Sequence, residues 1–131
     1  MHRSRLTGFV LDCKVDDIDE AARFWSAALG RAVKPADPSD PNYRELETRA
    51  DEPQIMLQKV EHESRIHLDI ESDDKEAEVD RLEALGAKRV AQIKRWWVME
   101  APTGQRFCVV NPQRGPMEDQ RDSNLWPDPA P

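Results

Sequence analysis

An internal repeat constrains this chain more than any single motif, because a repeated supersecondary unit must be recognised before its elements are read one by one. Residues 10–30, VLDCKVDDIDEAARFWSAALG, set an apolar run, an Asp pair and an amphipathic stretch ending in Leu-Gly. Residues 67–86, HLDIESDDKEAEVDRLEALG, repeat that order. Val10-Leu11-Asp12 aligns with His67-Leu68-Asp69 and Asp16-Asp17 with Asp73-Asp74 at an offset of 57, whereas Leu29-Gly30 and Leu85-Gly86 align at 56. One residue is lost inside the second helix.

Both copies predict the same local structure. Asp17 and Asp74 stand where a side-chain oxygen can cap the first helical amides, and the acids that follow suit the positive helix end. Ile18, Ala21, Ala22, Trp25, Ala28 and Leu29 recur at helical spacing, as do Val79, Leu82 and Leu85. Gly30 and Gly86 supply the left-handed residue that commonly ends a helix. Strand-like runs follow each helix: Arg31–Lys34, Tyr43–Thr48 and Gln54–Val60, then Lys88–Ile93, Trp96–Glu100 and Arg106–Val110. The order is strand, helix, three strands, twice. The expected organisation is one domain over residues 1–112, made of modules 6–60 and 65–112, with 113–131 as an irregular Pro-rich tail. Leu125 and Trp126 give that tail apolar area that water disfavours, so it is expected to dock.

Composition removes several classes of function. With 19 Lys and Arg against 26 Asp and Glu the net charge is −7, which opposes binding to a nucleic-acid backbone. No apolar stretch approaches the roughly 18–20 residues of a membrane-spanning helix. The N-terminal apolar run is interrupted at Asp12, too early for a secretory signal, and a cytoplasmic protein is expected. Cys13 and Cys108 lie far apart in no metal-binding spacing, so neither a disulfide framework nor a structural zinc site is indicated.

Two βαβββ modules with D-x6-FW-x3-LG in the first, HLDI-x3-D-x10-LG in the second and a closing APTGQRFCVV resemble the vicinal oxygen chelate superfamily, in particular its small glyoxalase-like and bleomycin-resistance-like members. The resemblance covers roughly residues 6–112. It implies an α+β fold in which the modules pair into a cupped antiparallel sheet, a ligand or metal in the cup, and a homodimer.

Alternation along a strand then sorts the faces. His67, Asp69 and Glu71 share one face, and Ile66, Leu68 and Ile70 share the face that should meet the second helix. Val10 and Asp12, Met56 and Gln58, and Cys108 fall on the cup side, with Tyr43 and Glu45 beside them. Trp96 and Trp97 must point to opposite faces, and Trp97 is assigned to the ligand side. Metal-dependent relatives place ligands on the first and last strands of each module. Those positions carry Val10, Met56 or Gln58 according to register, His67 and Cys108. Valine has no donor atom, so no catalytic metal is expected, and any divalent ion would centre on His67.

His67 can serve as a structural histidine of the cup wall, or as a group poised against Asp69, Asp12 or Glu45 to bind a ligand or move a proton. The leading expectation is a metal-free glyoxalase-like protein that binds a small organic molecule. The rivals are a lyase, isomerase or dioxygenase with His67 and Asp69 as catalytic residues, and a dimeric interaction module without a small ligand.

Overall fold

Asp17 opens the first helix as its position predicts: its backbone is extended, and its carboxylate accepts the amide of Asp19, one of the donors a helix leaves unmet at its start. From there α1 (Ile18–Leu29) runs to Gly30, whose left-handed backbone (φ 66°, ψ 38°) ends it. Asp74 caps α2 (Lys75–Ala84) through the amide of Ala77, and Gly86 follows at φ 109°. The computed structural model describes residues 1–127. Around the helices it arranges β1 (His2–Cys13), β2 (Tyr43–Leu46), β3 (Gln54–Lys59), β4 (Arg65–Ser72), β5 (Lys88–Ile93), β6 (Trp96–Glu100), β7 (Arg106–Val110) and β8 (Asn124–Trp126). The class is α+β. Among the described residues no helix is long and apolar enough to cross a membrane.

The chain divides into two units, Gly8–His67 and the first seven residues together with those from Leu68 onward. In the unit Gly8–His67 the end of β1 pairs in parallel with β3, and β2 pairs antiparallel with β3. Gly8 is needed there, because a Cβ would lie 1.9 Å from the Gln54 carbonyl oxygen. The core is Cys13, Ile18, Ala22, Leu46 and Leu57, with Leu11, Trp25 and Ile55 packed at its edge. Leu11, Cys13, Ile55 and Leu57 thus take the side of α1, opposite Val10, Asp12, Met56 and Gln58. The expected strand at Arg31–Lys34 shrinks to one bridge, Val33 to Leu46. Pro35 directly after it removes a ladder donor and ends any longer pairing.

In the other unit β4 pairs in parallel with β7, and β7, β6 and β5 follow antiparallel. Val79, Leu82, Met99 and Val109 form its core, with Ile70, Trp97 and Phe107 against it. Each module's sheet is therefore mixed rather than wholly antiparallel. The helix acts as the crossover that lets the first and last strands of a module run the same way.

Two expectations about the second helix need correction. Ile66 and Leu68 are 62% and 43% exposed, and of the three only Ile70 packs against the core of Val79 and Leu82; Leu85, at 66%, follows the last helical residue. The tail corrects a third. Its residues 124–126 form β8, antiparallel to His2–Ser4, where Trp126 Nε1 donates to Ser4 Oγ at 2.9 Å and the Arg81 guanidinium lies 4.0 Å over the indole. Under that seat the fully buried Glu78 accepts from Arg81 Nε and Nη2 at 2.9 and 2.8 Å and lies 2.8 Å from His2 Nε2. Glu71, also fully buried, accepts from Arg5 Nε at 2.5 Å, Thr7 Oγ1 at 3.0 Å and the amide of Gln113 at 2.9 Å, which ties the start of the tail to β1 and β4. Pro129 and Pro131 of the expected tail lie outside the described residues.

Candidate functional site

Cross-strand partners point to the same side of a sheet, so register decides which candidate residues meet. In the unit Gly8–His67, Val10 pairs with Met56 and Met56 with Glu45, while Asp12 pairs with Gln58 and Gln58 with Tyr43. All six residues lie on the face opposite α1. Val10 and Asp12 are buried there. Glu45 is turned to local partners: Lys34 Nζ at 2.7 Å and Gln54 Nε2 at 3.0 Å both reach its Oε2.

His67 joins this face through Asp12, its Nδ1 lying 3.0 Å from Asp12 Oδ2. A neutral imidazole that gives Asp12 its Nδ1 proton keeps Nε2 as an acceptor, the arrangement in which a carboxylate fixes the tautomer and orientation of a histidine. Of the three acids expected near His67, Asp12 is the one in its unit that holds it.

Two members of the cluster escaped the sequence reading. His62 Nε2 and Arg65 Nε each stand 3.8 Å from the same Asp12 Oδ2, and Arg65 Nη2 is 3.4 Å from His62 Nε2. His62 lies 2.8 Å from the Glu63 carbonyl oxygen through Nδ1, which makes that nitrogen the donor and Nε2 the acceptor facing Arg65. Alternation alone places Arg65 on the face of His67, two residues on. His62 sits outside the strands, and no period signals it.

The carboxylate is used unevenly. Asp12 is 5% exposed, yet its Oδ1 is buried with no hydrogen-bond partner among the described residues, while His67, His62 and Arg65 all gather at Oδ2. An unmet buried polar atom costs about 1–3 kcal/mol, so its retention asks for an explanation.

In the other unit Asp69 pairs with Cys108 and Cys108 with Val98, and Asp69 and Cys108 are buried. Trp97 is not on that face. It pairs with Val109, packs into the core beneath α2, donates from Nε1 to Glu76 at 2.7 Å and carries the Arg89 guanidinium 4.9 Å from its ring centre. That indole bond and Arg89 hold Glu76 below the usual carboxylate range. The tryptophan whose alternation places it with Val98 and Cys108 is Trp96.

The register also fixes what the Val10 position and its strand partner could offer a metal. Opposite Val10 stands Met56, not Gln58, so the two positions that would open a metal site in this unit offer a hydrocarbon and a soft thioether. These residues do not fit a hard divalent ion.

A family profile described as a glyoxalase-like domain matches residues 8–110. No curated protein matches the chain. Among solved structures, methylmalonyl-CoA epimerase from Mycobacterium tuberculosis is similar at 20% identity and a TM-score of 0.60, covering 82% of this chain and 87% of its own. A glyoxalase/bleomycin resistance protein/dioxygenase superfamily member from Vibrio splendidus 12B01 is similar at 22% identity and a TM-score of 0.54, covering 81% and 98%. An extradiol ring-cleaving dioxygenase from B. fuscum is similar at 21% identity and a TM-score of 0.53, covering 82% of this chain and 32% of its own. Likeness at this level concerns the fold, and one fold carries many chemistries.

Proposed function

The chain belongs to the glyoxalase-like domain family, and from that premise we propose that it binds a small organic molecule on the sheet face of Val10, Asp12, Tyr43, Glu45, Met56, Gln58 and His67 without a catalytic metal. The Asp12–His67 pair, its carboxylate buried and its imidazole half-buried, carries this reading. A polar pair set beside the apolar Val10–Met56 pair is the composition of a small-molecule site, where a few placed polar groups orient a mostly apolar ligand. A cytoplasmic homodimer is the accompanying expectation, with Asp69, Cys108 and Trp96 as further candidates for ligand contact.

Calorimetry of untagged protein with nickel, manganese and zinc tests the metal half of the proposal. It should give no tight stoichiometric binding, and the ions should not raise the melting temperature. Tight one-to-one binding would overturn the metal-free reading.

One observation favours an enzyme as the second reading. With its Nδ1 3.0 Å from a carboxylate, His67 has the arrangement of a histidine general base, the proton-accepting half of an isomerase or lyase step. On that reading His67 is the catalytic residue and Asp12, in place of the expected Asp69, the positioning residue.

A further inference from the structure

We propose that the molecule bound at this face is an alcohol or amine that presents a hydrogen to Asp12 Oδ1, an inference that rests on the small-molecule reading and narrows its ligand class. The asymmetry of the carboxylate carries it. His67 Nδ1 at 3.0 Å, His62 Nε2 at 3.8 Å and Arg65 Nε at 3.8 Å all approach Oδ2, and Oδ1 receives none of them. Asp12 sits in the interior of the β1–β3 ladder, with its side chain 4% exposed.

An ionised carboxylate oxygen accepts and cannot donate, so a ligand that fits it brings a hydroxyl or N–H hydrogen. A ligand that brings a carbonyl, ether or carboxylate oxygen to the same spot meets repulsion between two acceptors. The Val10–Met56 pair, next along the ladder, asks for an apolar body beside the donor. The neighbours His62 and Arg65, both at Oδ2, have side chains 43% and 53% exposed. The class is therefore a compact alcohol or amine with a hydrocarbon body.

Matched pairs that differ only in the donor test this on the full chain: benzyl alcohol against benzyl methyl ether, cyclohexanol against methoxycyclohexane, and benzylamine against its N,N-dimethyl form titrated as the free base. Dissociation constants come from protein chemical shifts. The alcohols and the amine should bind about tenfold or more tightly than their methylated partners, the factor expected for a hydrogen bond to a charged group. In Asp12→Ala, which removes the acceptor and whose fold is checked by circular dichroism, that ratio should fall toward one. The wild-type ratio is decisive even where the variant does not fold. Equal binding within the pairs would overturn the donor class and leave the small-molecule reading standing. Shifts that move only away from Asp12 and His67, or no shifts with any compound, would overturn both.

Discussion

His67 Nδ1 and Asp12 Oδ2 stand 3.0 Å apart, joining the first residue of the second repeat to the first strand of the first. The bond sets the tautomer of the ring. Nitrogen-15 spectra above pH 8 should show His67 as the Nδ1–H form, the less common one for a free imidazole. Asp12→Asn should weaken that preference, because an amide can offer its own hydrogens to the ring. A wild-type His67 in the Nε2–H form would show that Asp12 does not orient it.

Leu82 and Leu85 belong to one predicted apolar stripe, yet only Leu82 lies in the core of its unit. Leu82→Ala should cost about 2–5 kcal/mol, by lost contacts and the cavity left behind. Leu85→Ala should change stability by no more than about 0.5 kcal/mol, as exposed positions do. Urea denaturation of the two variants separates them. Equal midpoints would mean the helix is rotated from the face described.

The tail is held by a short strand, the Trp126–Ser4 hydrogen bond and the stacking of Arg81 on the indole. Trp126→Ala should remove about 1–2 kcal/mol, summing one net hydrogen bond and one cation–π contact. It should also speed tryptic cleavage at Arg121. Unchanged cleavage and stability would place the tail's anchor elsewhere.

Glu78 gives the protein an acid limit. Burial pushes its carboxyl up, but hydrogen bonds from Arg81, His2 and Ser4 outweigh that and hold it below the ordinary 4.5. A carboxyl depressed in the fold contributes stability that is fully present above its unfolded value and is lost as pH falls through its folded one. Stability should therefore decline below about pH 4.5. Glu78→Gln should be less stable than wild type at neutral pH and show a flatter acid decline. Parallel decline in both proteins, followed by urea midpoints from pH 3 to 7, would assign the limit to other groups.

What the sequence makes legible here is what local rules control. Asp17 and Asp74 cap the helices, Gly30 ends the first, and Lys88–Ile93, Trp96–Glu100 and Arg106–Val110 are strands at the positions their patterns give. Alternation also gathers Val10, Asp12, Met56 and Gln58 on one face. It fails where packing depends on reach. Ile66 and Leu68 have the right parity but are exposed, and Trp97 has the parity of Val109, which only the β6–β7 register reveals. Residues 124–126 are too few to carry a period, so β8 is fixed by its partner strand. His62 reaches Asp12 from a loop, and loop geometry leaves no pattern in a sequence.

The central claim is that the Asp12–His67 face holds a small organic molecule and no catalytic metal. Native mass spectrometry of untagged protein, compared with its denatured mass, measures both at once. It should reveal a stoichiometric organic adduct that is lost in His67→Ala, with no mass for a divalent ion. A stoichiometric metal mass, or an organic adduct that His67→Ala leaves in place, would contradict it.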